Sequence, residues 1–202
     1  MHNTIFVSVD VETTGLDPKK DKIIEIGSIK IDVNGFKLDE FSELANPGFP
    51  LPEKIIKLTN IDDEMLKDKK YSNDVVADWA NWLNKTDNEC ILFAHNAPFD
   101  LKFIKEHLKG IEIEIDNYYV VDTLTWSRKD IKKSSNHQLG TLLEYLNFEK
   151  TGDLHRATFD SLGSMFIASQ ILKKVYKTKS IEDVIDVLDS RKKLVKDIIK
   201  WS

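Results

Sequence analysis

Residues 4–18 read TIFVSVDVETTGLDP, and the reading of this stretch decides the fold of the 202-residue chain. Val7, Val9 and Val11 alternate with Phe6, Ser8, Asp10 and Glu12, the two-residue period of a strand. Side chains at i and i+2 of a strand point the same way, so Asp10 and Glu12 crowd one side at the end of an apolar run. Thr13 to Pro18 then reads as a turn, with Gly15 and Pro18 as its punctuation. Two carboxylates so placed repel and lose hydration unless a cation sits between them. Spacing alone does not demand the cation. With 34 acids in 202 positions, about six acid-x-acid pairs arise from composition, and the pair also fits a strand end splayed into solvent.

Outward from this strand, Ile23 to Val33 and Phe36 to Ala45 read as two more strands joined at Asn34-Gly35, a strong hairpin signal. Short helices are expected over Pro52 to Leu58 and Asp62 to Lys69. A longer amphipathic helix is expected over Asn73 to Lys85, with Asn73 as its cap. Cys90 to Ala94 is wholly apolar, as a strand buried on both faces is, and Tyr118 to Asp122 looks similar. Helices follow at Pro98 to Leu108, Leu139 to Leu146 and Ala157 to Tyr176. A last one is expected from Ser180 to Trp201, opened by a capping-box-like Ser180 and Asp183 and interrupted by Arg191-Lys192-Lys193. A strand meander followed by strands alternating with helices predicts an α/β sandwich around a mixed sheet. We read residues 1–176 as one domain and 177–202 as an amphipathic helical appendage, for packing or for docking a partner.

Composition narrows the class. At 41% hydrophobic and 31% charged the chain can bury a core, which argues against disorder. One cysteine, Cys90, excludes an internal disulfide and fits a reducing compartment. MHNTIFVSVD has no charged start and no apolar run long enough for a signal or a membrane span, so a soluble cytoplasmic protein without membrane contact is expected. The net charge of −5 disfavours a tight duplex binder, though not an enzyme that holds one strand end through metal ions. Arg128, Lys129, Lys132 and Lys133 form the best basic run, suited to steering a strand or simply to a solvated loop.

Two further segments carry chemistry. HNAPFD, 95–100, follows the apolar strand and puts Asp100 in the first turn of a helix, where the dipole favours an anion for stability as readily as for function. HRATFD, 155–160, offers His155 and Asp160. On one continuous helix the two would point about 140° apart, so His155 belongs in the preceding loop if both serve one site. The bland reading makes Asp153 or Thr158 a cap and His155 a solvated loop residue. Taken together, four carboxylates from three segments suit hard divalent cations such as Mg²⁺ or Mn²⁺. No zinc spacing, P-loop or dinucleotide fingerprint competes with that reading.

VDVETTGL, HNAPFD and HRATFD, in this order, resemble the three motifs of the DnaQ-like, DEDDh-type 3′→5′ exonucleases of the RNase H-like superfamily. LPEKIIKLTNI, VDTL and NHQLGTLLEYL resemble the family segments between them, and the likeness covers roughly residues 4 to 175. Asn60 stands where the family usually has glycine, a mild change because Asn tolerates positive φ. Ser161 stands where alanine is usual.

The resemblance implies an RNase H-like α/β fold with a central mixed five-stranded sheet flanked by helices. It implies two divalent cations, Mg²⁺ or Mn²⁺, held by Asp10, Glu12, Asp100 and Asp160. It makes His155 the base that takes a proton from the attacking water, so activity falls below about pH 6–7 where an ordinary histidine protonates. Thr13, Thr14, Leu16, Thr59, Asn60, His95, Asn96 and Phe99 become substrate contacts, with Phe99 beside a base or in the core. The expected activity is hydrolysis of the last phosphodiester of a single-stranded or frayed 3′ end, DNA favoured over RNA, releasing nucleoside 5′-monophosphates. Polymerase-associated proofreading in DNA replication or repair is the expected setting, with a DNA polymerase as possible partner. The alternatives are RNA 3′-end trimming and a catalytically idle interaction module. Monomer and dimer are both compatible with the sequence.

Overall fold

The computed structural model describes residues 4–86, 88–113, 115, 118–148, 156–190 and 193–194. Strand β1 (Thr4–Thr13) is buried on both faces for most of its length, so it belongs inside a sheet. It pairs antiparallel with β2 (Ile23–Ile31), which pairs antiparallel with β3 (Lys37–Leu44). The β2–β3 connection turns where Asn34-Gly35 predicts it. Gly35 takes φ 87°, and the Asp32 carboxylate accepts the N–H groups of Asn34 at 2.9 Å and Phe36 at 2.8 Å. On its other side β1 runs parallel to β4 (Glu89–Ala94), and β4 parallel to β5 (Tyr119–Asp122). This is the expected mixed five-stranded sheet.

A sixth strand, β6 (Lys193–Leu194), adds to the far edge, antiparallel to β5. It corrects the expectation of one helix from Ser180 to Trp201. The helix stops at Asp189, and pairing with the bare edge of β5 prevails over continuation of the apolar stripe. The remainder of that segment, 195–202, lies outside the described residues.

The helices follow the sequence closely: α1 (Glu53–Thr59), α2 (Asp63–Leu66), α3 (Ser72–Leu83), α4 (Ala97–Leu108), α5 (Thr123–Asp130), α6 (Leu139–Tyr145), α7 (Ala157–Lys174) and α8 (Ile181–Asp189). Asn73 is not the cap of α3. Tyr71 occupies that position, and Ser72 Oγ instead donates to the Ile23 carbonyl at 2.7 Å, tying the helix start to β2. Capping at α8 is as the sequence suggests, with Ser180 and Asp183 forming a reciprocal box. Helix α5 was not foreseen: its cap is Asp122, the last residue of a strand.

Two cores lie on opposite faces of the sheet. Val7, Val9 and Val11 pack with Trp79, Leu101, Phe103 and Ile104 of α3 and α4. Phe6, Ile91, Phe93 and Val121 pack with α6, α7 and, through Ile185 and Leu188, α8. Each fully buried large side chain stabilises by about 1.5–3 kcal/mol relative to exposure, so the two layers hold the sheet from both sides. Trp79 Nε1 donates to Ser28 Oγ at 2.7 Å, and Lys30 Nζ and Tyr118 Oη donate to the terminal carbonyls of α3. A third, smaller cluster joins Ile24 to Leu51, Ile55, Ile61 and Leu66 beneath α1 and α2. Among the described residues no helix is long and apolar enough to cross a membrane.

Candidate active site

The site begins where two strands part company. Pairing of β1 with β4 ends at Ser8–Phe93, whereas β1 continues with β2 to Thr13. Beyond Ser8, β1 therefore projects past its parallel neighbour, over the edge where β4 gives way to α4. Val11 lies in this overhang, and its N–H is taken by Asp100 Oδ1 at 3.2 Å. Asp100 is itself buried in the first turn of α4. That turn is fixed from behind by Asp122, whose Oδ1 accepts the N–H groups of Asn96 at 2.9 Å, Ala97 at 3.3 Å and Leu124 at 3.2 Å. One carboxylate thus closes the start of α4 and caps α5.

Asp10 and Glu12 face the α7 side of the sheet. Their cross-strand partners are Gly27 and Glu25, and the missing side chain at Gly27 is what lets α7 come down. A Cβ there would stand 2.1 Å from the Thr158 nitrogen and 2.2 Å from the Ala157 carbonyl carbon. Helix α7 is further seated by a buried hydrogen bond from Ser8 Oγ to Ser161 Oγ at 3.1 Å and by Ser164 Oγ donating to the Phe93 carbonyl at 3.3 Å. The serine that replaces the usual alanine after Asp160 therefore has a partner in β1.

The result is a cluster in which carboxylate oxygens of Asp10, Glu12 and Asp160 all lie within 4.8 Å of one another. Asp160 is buried and the other two are half-buried. Burial, then the neighbouring acids Asp160, Glu25 and Asp100, push Glu12 up to about 8. Burial and the same crowd of acids raise Asp10 well above the usual carboxylate range. Asp100 is pushed up to about 8, mainly by burial and against the Val11 N–H, which favours its charged form. A set of hard oxygen donors this close, with proton affinities raised for want of a counter-charge, fits divalent cations.

The other expected site residues divide by what their polar atoms do. Thr13 Oγ1 donates to the Gly15 carbonyl at 2.6 Å, and Thr14 Oγ1 donates to Asp21 Oδ1 at 3.2 Å, so both shape the turn after Glu12. Leu16 is 84% exposed at the tip of that turn. Thr59 is buried, donating to the Ile55 carbonyl and accepting from the Ile61 N–H. Asn60 ends α1 at φ 55°, the left-handed conformation that its amide side chain tolerates. His95 has both ring nitrogens engaged, Nε2 at 2.8 Å from the His137 carbonyl and Nδ1 at 3.0 Å from Thr123 Oγ1. Asn96 is exposed at φ 77°. Phe99 lies against Phe103, with ring centroids 5.0 Å apart and planes tilted by 47°, and packs on the core. His155 and Asp153 lie outside the described residues. Thr158 does not cap α7; its hydroxyl donates to Ser42.

Sequence reasoning missed Glu25, Gly27 and Arg156. Glu25 is buried and receives the Arg156 guanidinium through Nε at 3.0 Å and Nη2 at 2.8 Å, and the Ala157 N–H at 3.0 Å. A buried-strand acid opposite Glu12 was the one available signal.

Residues 7–168 match the RNase_T family, described as "Exonuclease". The chain belongs to the exonuclease family. The motifs VDVETTGL, HNAPFD and HRATFD lie within the matched span. This exonuclease is 38% identical over 169 residues to the DNA polymerase III PolC-type of Bacillus subtilis, covering 83% of the chain and 11% of the relative. It is similar in fold to Exonuclease X in complex with 5′ overhanging duplex DNA, with a TM-score of 0.60 and 18% identity over 91% of this chain and 98% of that one. A 3′-exonuclease solved in 3′-end-specific recognition of a histone mRNA stem-loop has a TM-score of 0.68 and 17% identity, covering 86% and 83%. The exonuclease spans about an eighth of the length of the PolC relatives it matches.

Proposed function

We propose that this exonuclease removes nucleotides one at a time from single-stranded or frayed 3′ ends of DNA, with Mg²⁺ or Mn²⁺, as a proofreading activity associated with a DNA polymerase. The observation that carries it is the convergence of Asp10, Glu12 and Asp160 within 4.8 Å, beside an Asp100 anchored on the same strand. In this reading those four side chains hold two divalent cations, which supply Lewis-acid charge to the attacking and leaving oxygens of an in-line displacement. Asp10, Glu12 and Asp160 would supply the clustered ligand oxygens, and Asp100, held by the Val11 N–H, would complete the donor set.

His155, which precedes the N-cap residue Arg156 in the sequence, would take a proton from the attacking water. The 3′ oxygen of the neighbouring nucleotide departs and a nucleoside 5′-monophosphate is released. Exposed Leu16 and Asn60, with Thr13, Thr14 and Thr59 shaping their loops, place the terminal nucleotide. His95 and Asn96 border the strand's path, and Phe99 supports them from the core. The 38% identity to the PolC-type polymerase over 83% of the chain supports DNA as substrate and a polymerase as partner.

The test uses 5′-labelled DNA and RNA oligomers of one sequence with Mg²⁺, Mn²⁺ or EDTA. Metal-dependent shortening of DNA from the 3′ end is expected. Equal or faster loss of RNA overturns the DNA assignment, and no shortening with either metal overturns the enzymatic one.

A further inference from the structure

We propose that Glu25 and Arg156 are positioning residues of the reaction, a clamp that fixes the first turn of α7 so that Asp160 meets Asp10 and Glu12. The inference rests on the function proposed above. Its geometry is plain. Arg156 is the N-cap of α7, offers no side-chain cap of its own, and sends its guanidinium 131 positions back along the chain to Glu25 on β2. The same carboxylate accepts the Ala157 N–H, an N-terminal helix donor that would otherwise lack an intrahelical partner. Three donors from the adjacent residues Arg156 and Ala157 thus converge on one side chain whose exposure is 2%.

The placement is electrostatically unfavourable, which is informative. Glu25 sits directly across the ladder from Glu12, and like charges in that relation destabilise a sheet. An ion pair with one buried partner is also weak support for stability, because desolvation of Glu25 offsets much of the attraction. What the pair does supply is direction: a planar fork on a carboxylate fixes angle as well as distance. Gly27 sets how close α7 approaches, and Glu25 sets where along β2 it lands. The motif's two chemical residues flank the clamp, His155 immediately before Arg156 and Asp160 four residues after it.

The experiment uses the full chain carrying Arg156→Ala, Arg156→Lys, Glu25→Gln or the Arg156→Ala/Glu25→Gln pair. Each is measured for kcat and KM on single-stranded DNA with Mg²⁺, for Mn²⁺ affinity by electron paramagnetic resonance, and for thermal unfolding. Arg156→Ala should lower kcat by about 10- to 100-fold, as a displacement near 1 Å does, with KM within about threefold and Mn²⁺ bound more weakly. Glu25→Gln keeps an acceptor for Ala157 and the shape of the site, so it should lose less. The pair should lose no more than Arg156→Ala alone, since two parts of one clamp are not additive. Arg156→Lys restores charge without the fork and should recover little. A KM rise with kcat intact makes Arg156 a substrate contact and overturns the proposal, as does full recovery by lysine or unchanged kcat and Mn²⁺ affinity. A wild-type chain that binds Mn²⁺ but cleaves nothing fails the function itself, while the Mn²⁺ comparison still tests the clamp.

Discussion

Gly27→Ala is the smallest change that should disable this exonuclease without touching an acid. The added methyl would lie 2.1 Å from the Thr158 nitrogen and 2.5 Å from its Cα, both backbone atoms that cannot rotate away. Restoring an ordinary 3.4 Å contact means lifting the start of α7 by about 1.3 Å, or deforming β2 by a similar amount. Asp160 rides on that turn, so its oxygens leave the 4.8 Å cluster with Asp10 and Glu12. Misplacement on the order of 1 Å costs about 10²-fold in rate, and overpacking costs about 1–3 kcal/mol of stability. For a chain of this size each kcal/mol lowers the melting temperature by roughly 2–4 °C, so the variant should remain folded at 25 °C. The assay is initial rate on a labelled single-stranded oligomer with saturating Mg²⁺, beside a thermal melt. A variant within twofold of the wild-type rate, however its melting temperature moves, would refute the view that α7's depth on the sheet aligns the acids.

Other outcomes follow from the same geometry. Asp10→Ala or Asp160→Ala should abolish turnover while leaving the melting temperature of the metal-free protein unchanged or raised, because crowded charge is relieved; a fall comparable to a core truncation contradicts this. Without metal, Glu12 and Asp100 titrate near 8 in the fold against about 4 when unfolded. The native state therefore holds extra protons in that window, and stability present at its acid end is lost as pH rises through about 8. Mn²⁺ should then raise the melting temperature more at alkaline than at acid pH. Melts in EDTA that are flat or rising between about pH 5 and 8 would count against it. His155→Ala should slow cleavage by about 10²–10⁴-fold, measured by single-turnover kinetics; a wild-type rate removes it as the base.

Much of this was legible in the sequence because it is periodic or punctuated. Alternation through Val11 gives β1, Asn34-Gly35 gives the hairpin, and the unbroken run to Ala94 gives an inner strand with Asp100 one turn beyond it. What escaped is what has no local signature. A two-residue strand such as β6 has no period. Helix α5, TLTWSRKD, is polar but for Leu124 and Trp126, and its cap is hidden at the end of β5. Glu25 looks like one acid among 34 until Arg156 is folded against it. Gly27 carries no side chain to be noticed, and its meaning is the backbone that occupies the vacant volume.

The small cluster of Ile24, Leu51, Ile55, Ile61 and Leu66 stands on its own apart from the two main cores, and it underlies the Thr59–Asn60 ledge. A footing of a few aliphatic side chains opens at lower free energy than the layers that clasp the sheet. If Thr59 and Asn60 hold the strand end as proposed, grip on it and scission of its bond are mechanically separate. On that proposal, substitutions beneath the ledge should loosen or tighten the hold on the terminal nucleotide while Asp10, Glu12 and Asp160 keep their spacing.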